Sequence, residues 1–221
     1  MKKLLTCALL LALVLSCAVA RADGVRLTEK QRYNFNLFLS NFTEQGFCLD
    51  PDESFDDSDW DERMLTEFAI EHCWFNRQNR LEWGEYFNYN NVRLPESQIE
   101  PVVWKYFGLS IRPSHDLEYI DYRNGYYYWE ETGGHTSDGF ACITGISHWD
   151  YDMYYVTFEV FGSGYNWNND ACYYTPEQAE RRYPLEDWER CTGYAIIATE
   201  GDLDSRDEWS LCRYDVDPAW D

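Results

Sequence analysis

Asp57, Asp59 and Asp61 stand at alternate positions of an acidic run, the spacing with which a calcium-binding loop begins. The pattern then fails as an EF-hand, because Glu62 occupies the place where a glycine must turn and Phe68 that of the bidentate glutamate. Asp150 with Asp152, and Asp202 and Asp204 ahead of Asp207 and Glu208, are further loop carboxylates, whose ordinary work is solvation and turn formation. No metal and no cofactor is expected. His72, His115, His135 and His148 are too scattered for HExxH or a triad, and neither GxSxG, SxxK nor a phosphate-cradling glycine loop occurs. His135, in Gly133-Gly134-His135-Thr136, is the histidine best placed for acid–base work, whereas His72 reads as packed beside Cys73. Glycoside hydrolysis needs only two carboxylates across a groove, but with 40 acidic residues the sequence cannot choose a pair. No catalytic residue is assigned.

Thiol chemistry is the other possibility. Beyond residue 22 lie Cys48, Cys73, Cys142, Cys172, Cys191 and Cys212. An even number in an exported chain points to disulfides, whose connectivity sequence alone does not fix. No CxxC pair occurs, which disfavours structural zinc. Cys48 with Cys73 would tie the end of one predicted helix to the next, and Cys191 with Cys212 would join two neighbouring strands. Each bridge is worth about 2–4 kcal/mol, and the alternative is that some of these thiols stay reduced as small buried hydrophobes.

Export itself is read from residues 1–22, where Lys2 and Lys3 precede an apolar run and Ala18-Val19-Ala20 and Ala20-Arg21-Ala22 offer overlapping small-x-small cleavage patterns. Two exits compete: cleavage after Ala20 or Ala22, or diacylation of Cys17 in Val14-Leu15-Ser16-Cys17, a lipoprotein-box pattern with an unusual Leu15. The expected location is therefore outside the cytoplasm, secreted or at the cell surface, where thiols oxidise and ATP or NAD is not supplied. No later segment approaches the ~20 apolar residues that cross a bilayer, so contact with a membrane would come only through a lipid anchor.

The formal charge of the whole chain is −22, and loss of residues 1–22 leaves 15 basic residues against 40 acidic ones. Such a surface repels phosphate backbones and anionic headgroups, which excludes nucleic acid as a natural partner. Aromatic residues make up 18% of the chain, with ten Trp and the run Tyr126-Tyr127-Tyr128. Most belong in a core and in cross-strand pairs, while an exposed row would make a platform for sugar rings. A glycan or a cell-envelope protein is the expected partner.

These residues need elements to hold them. Thr28-Glu29-Lys30-Gln31 is a capping box, and it tips residues 33–47, whose periodicity suits strand and helix alike, towards helix. Trp60, Met64, Leu65, Phe68, Ala69 and His72 mark a second amphipathic helix over residues 59–77. Ile99, Val102, Val103, Tyr106 and Phe107 mark a third, which admits Pro101 in its first turns and stops at Gly108. From Leu117 the period becomes two: strands over 119–123 and 126–130 flank the type I′ signal Asn124-Gly125, followed by strands over 140–149, 153–161, 194–199 and 208–214 and a short helix opened by Thr175-Pro176-Glu177. The reading is one α+β domain over residues 23–221, its N-terminal helices packed on one face of a curved antiparallel β-meander.

The segment 33–47, the long amphipathic helix after it, the helix ending in Tyr106-Phe107-Gly108 and the strand entry Asp138-Gly139-Phe140-Ala141 together resemble a family of secreted proteins and lipoproteins of low-GC Gram-positive bacteria with no assigned activity. The likeness covers most of the mature chain but rests on packing patterns. It implies export and an α+β domain, carries no functional residue across, and departs from the family in cysteine number, which implies extra bridges. The expected function is a non-enzymatic exported domain that binds or scaffolds at the cell envelope. The alternatives are a glycan hydrolase with two carboxylates in an aromatic-lined cleft, and a carbohydrate-binding module. A concave cleft with partly buried carboxylates would favour the hydrolase, and a flat exposed aromatic row the module.

Overall fold

The computed structural model describes residues 25–45, 55–56, 60–131, 139–162, 168–184, 191–199 and 203–218. Residues 1–22, with Cys17 and the cleavage candidates Ala20 and Ala22, lie outside them, as do Cys48, Asp57, Asp59, His135 and Asp202. Among the described residues no helix is long and apolar enough to cross a membrane.

The expected α+β architecture is present. Helix α1 runs Glu29–Thr43, strand β1 is Phe55–Asp56, and α2 runs Glu62–Asn76. Strands β2 (Glu82–Trp83) and β3 (Val92–Pro95) precede α3 (Ile99–Phe107). Then come β4 (Asp121–Arg123), β5 (Tyr126–Trp129), β6 (Phe140–Asp150), β7 (Met153–Phe161), α4 (Pro176–Arg182), β8 (Cys191–Thr199) and β9 (Trp209–Pro218). The capping box closes as anticipated: Gln31 N–H donates to Thr28 Oγ1 at 3.2 Å, and Thr28 N–H donates to Gln31 Oε1 at 3.0 Å. Asp61 caps α2 by accepting from Met64 N–H at 2.8 Å, and Gly108 ends α3 with φ of 65°.

The meander β6–β9 forms a five-stranded antiparallel sheet in the order β1-β9-β8-β7-β6. The Asn124-Gly125 hairpin forms with φ of 54° and 80° at those two residues, as a type I′ turn requires. It does not extend the meander, however. Strand β5 pairs with β3, Leu94 opposite Tyr127, in a second sheet of order β2-β3-β5-β4. Strands of two and four residues are too short to register a period, so the segment that recruits the hairpin leaves no signal of its own.

The ambiguous period of α1 has a structural cause. Phe35, Phe38, Leu39 and Phe42 are buried in the core, and Phe42 makes ring contacts with Phe38, Phe68, Tyr106, Phe107 and Tyr214. The adjoining face of the helix is buried too, but it is polar. Strand β6 is the sheet's edge, and α1 covers it: Ala141 N–H donates to Ser40 Oγ at 3.0 Å, Ile143 N–H to Asn36 Oδ1 at 2.8 Å, and Thr43 Oγ1 to the Gly139 carbonyl at 3.2 Å. Helical spacing of 36, 40 and 43 thus supplies partners for an edge strand's orphan backbone groups. One continuous core links α1, α2 and α3 to both sheets, from Phe35 and Trp209 to Val92 and Tyr127.

Strands β8 and β9 press closely at Gly193, where an added Cβ would lie 2.5 Å from the Asp215 carbonyl oxygen and 2.7 Å from Phe158 Cζ. Gly193→Ala should destabilise the fold by about 2–3 kcal/mol through overpacking; a denaturant midpoint unchanged from wild type would contradict the strand register.

The register also corrects one expected bridge. Cys191 lies opposite Pro218, whereas Cys212 is the bulged residue beside Ile196 and Ile197. At ~3.4 Å per residue the offset is about 17 Å, far beyond the ~7 Å a disulfide spans. The two cysteines do lie on adjacent strands, but not at facing positions. Cys73 is buried in the last turn of α2, its thiol pushed up to about 11 by burial, and its expected partner Cys48 falls outside the described residues. No two described cysteines stand at disulfide distance.

Candidate functional site

Helix α2 presents two faces. Leu65, Phe68, Ala69 and His72 enter the core, while Arg63, Glu67, Ile70, Glu71 and Trp74, at i, i+4, i+7, i+8 and i+11, line a groove of about 530 Å³. Glu44 and Gln45, at the end of α1, close one side. The other wall is the segment from Leu117 to Ile120 together with Trp129 and Glu130 at the end of β5.

That wall is pinned from below. Tyr127 OH donates to the Ser114 carbonyl at 2.9 Å, and Ser114 N–H donates to Thr66 Oγ1 on α2 at 2.9 Å. Trp74 meets Trp129 edge to face at 6.1 Å, with Trp83 tilted against Trp74 at 5.6 Å, so two short strands and a helix jointly fix the aromatic lining.

Five carboxyl groups converge on this groove against one guanidinium. Arg63 Nε lies 3.2 Å from Glu67 Oε1 and its Nη2 3.9 Å from Glu118 Oε2, so its charge is shared between two rim carboxylates. Glu71 and Glu130 add negative charge on exposed positions of the same rim. Glu44 is different: it is 7% exposed, and burial pushes its carboxyl up to about 7 although the Asn76 amide donates to Glu44 Oε1 and pulls the other way. The Asn76 amide nitrogen lies 3.4 Å from His72 Nδ1, and burial holds that imidazole neutral down to about 3. His72 in turn packs on the rings of Phe68 and Tyr106.

This network predicts opposed pH dependences. Glu44 holds its proton more tightly folded than unfolded, so its contribution is full below the ordinary carboxylate value and is lost as pH rises from ~4.5 to 7, to the extent of roughly 3 kcal/mol. His72 is lowered, so its contribution is full above ~6.5 and is lost as pH falls towards 3. Glu44→Gln, which keeps the acceptor for Asn76, should therefore gain stability over wild type by about 2–3 kcal/mol at pH 8 and gain little at pH 4. Denaturant melts at the two pH values check this, and an equal difference at both would contradict it.

His135, the histidine expected to be best placed for acid–base work, lies outside the described residues, and the three described histidines sit in separate settings. His115 Nε2 lies 2.7 Å from Glu96 Oε1 and its ring stacks on Tyr122 at 3.5 Å, while Tyr122 OH donates to Glu96 Oε2 at 2.7 Å. His148 sits on β6 against Tyr154, and His72 is buried. Among the described residues no three His, Cys, Asp or Glu side chains form a metal-binding group. Asp61, from the calcium-like run, is spent on the α2 cap.

A second aromatic surface lies on the outer face of the large sheet. Trp149 stacks with Tyr155 at 5.8 Å, Tyr155 with Tyr194 at 5.2 Å, and the Arg213 guanidinium lies 5.4 Å from the Tyr194 ring centre. The rings turn their faces to one another, whereas a sugar platform needs faces turned to solvent. Neither Glu44 nor the Trp74–Trp129 pair was marked by sequence alone, since a lone glutamate after a helix and two tryptophans 55 positions apart share no spacing signal. No family model matches the chain, and no curated protein or solved structure matches it, so its function must be argued from the groove.

Proposed function

We propose that this chain is an exported, non-enzymatic binding domain whose groove takes a basic, partly apolar peptide segment of another extracytoplasmic protein. The observation that carries this reading is the lining: Trp74, Trp129, Phe75 and Ile70 beside Glu67, Glu71, Glu118 and Glu130. An apolar body gains from the rings, and a cationic side chain gains both from the carboxylates and from tryptophan faces. A neutral ligand would desolvate the same carboxylates without adding a positive charge beside them, which costs affinity. The net charge of −22 favours encounter with cations and repels polyanions.

Titration of the purified protein with a short peptide of alternating lysine and leucine should quench or shift tryptophan emission, with Kd on the order of 10–100 μM at low salt and severalfold weaker binding at 0.5 M salt. Equal binding of an alternating glutamate–leucine peptide, or no binding of the lysine peptide, would overturn the proposal.

A second reading rests on Glu44. A carboxyl that stays protonated near neutrality at the edge of a groove bearing ionised carboxylates is the pairing a glycosidase uses. Release of reducing ends from a neutral oligosaccharide by wild type, abolished in Glu44→Gln, would establish catalysis in place of peptide binding.

A further inference from the structure

Beneath α1, outside the groove lining, the chain brings two buried cysteines from distant positions to one place. Cys142 lies on the edge strand β6 and Cys172 in the 3-10 turn Asn169–Tyr173, and both are wholly buried. Two side chains of α1 clamp them together. Asn36 accepts from Ile143 N–H at 2.8 Å and donates to the Cys172 carbonyl at 2.8 Å and the Tyr174 carbonyl at 3.2 Å. Ser40 Oγ accepts from Ala141 N–H at 3.0 Å and lies 3.8 Å from Cys172 Sγ.

The turn is thus fastened to the strand at the residues immediately before and after Cys142. Alternation along β6 sends Ala141 and Ile143 into the main core and Cys142 to the opposite face. There it joins Phe140, Phe161, Ala171 and Ala179, and its Sγ lies 3.9 Å from the carbonyl of Tyr174, two residues past Cys172. Burial, and after it the nearness of Cys172, raises the proton affinity of the Cys142 thiol. The sulfurs are not at bonding distance here, so the arrangement is that of the reduced pair.

We propose that Cys142 and Cys172 are the partners of a disulfide in the exported protein, formed during folding by exchange with a disulfide-bearing oxidant. One cysteine thiolate attacks a sulfur of the oxidant, whose S–S bond breaks and releases one thiolate. The second cysteine thiolate then attacks the mixed disulfide, forming the intramolecular S–S bond and releasing the other. Two electrons pass to the oxidant, and the two thiol protons go to solvent. Burial disfavours both thiolates in the closed fold, which places the exchange before α1 and the turn seal the site. The bond would lock the β6–β7 hairpin to the turn and leave Cys191 and Cys212, separated by register, outside it.

The pairing depends on an oxidising address, and the test separates the two. Purified chain lacking residues 1–22, unfolded and reduced, is refolded in a glutathione redox buffer and digested without reductant, and the peptides are mapped by mass spectrometry. The expected product is a linked peptide containing Cys142 and Cys172, two hydrogen masses below the sum of its parts, and a thermal midpoint about 10 °C above that of the same protein reduced. Full alkylation of both cysteines after this treatment, or linkage of either to another cysteine, overturns the pairing. The same map on protein recovered from cells then reports the compartment: linkage in the refolded protein but not in the cellular one would count against export and leave the pairing intact.

Discussion

Replacing Asn36 with leucine, a side chain of similar shape without its amide, is expected to cost on the order of 3–5 kcal/mol and to lower the thermal midpoint by roughly 10 °C. Asn36 is wholly buried and uses both ends of its amide: it accepts from Ile143 N–H and donates to the carbonyls of Cys172 and Tyr174. Leucine would leave one buried donor and two buried acceptors without that partner, each worth about 1–3 kcal/mol when stranded. The loss should also be local first. Amide exchange at Ile143 should accelerate well before exchange in β8, because β8 keeps both of its neighbours, β7 and β9, when the edge strand opens. A variant within 1 kcal/mol of wild type, with Ile143 still protected, would mean that the edge of β6 is satisfied by other groups.

The second large effect concerns binding. Glu71→Lys together with Glu130→Lys should weaken the lysine–leucine peptide on the order of 100-fold and abolish most of the salt dependence of the remaining affinity. Both positions are exposed on the groove's rim, so the fold should keep its denaturant midpoint to within ~1 kcal/mol. Reversal at two of five carboxyl positions leaves three carboxyl groups facing three cations, which removes the attraction while leaving Trp74 and Trp129 in place. Undiminished affinity in the double variant would move the binding surface elsewhere, most directly to the outer sheet face of Trp149, Tyr155 and Tyr194.

Much of the fold was legible because local chemistry and tertiary demand agree. The Thr28 box, the Asn124-Gly125 turn, the Gly108 stop and the two-residue alternation of β7 each form as their residue types require. Where the period was ambiguous, in α1, the reason was that the helix is buried on an apolar face and on a polar one, and the polar residues Asn36, Ser40 and Thr43 answer a strand more than ninety residues away. A one-dimensional pattern cannot carry that distance. The split into two sheets was hidden for a related reason: β2 and β3 are short, and only their pairing with the hairpin gives them meaning. The groove draws on α1, α2 and β5, and its informative residue, Glu44, is made unusual by burial alone, a property that no neighbour in sequence announces.

The acidic groove walled by Trp74 and Trp129 is proposed to hold a cationic, partly apolar ligand. The most direct measurement is the indole N–H resonances of the protein, followed by nuclear magnetic resonance during titration with the lysine–leucine peptide. The Trp74 and Trp129 signals are expected to shift with a common midpoint while those of Trp104 and Trp149, which are exposed but lie outside the groove, stay in place. Shifts confined to Trp149, or no saturable shift at Trp74 and Trp129, would contradict it.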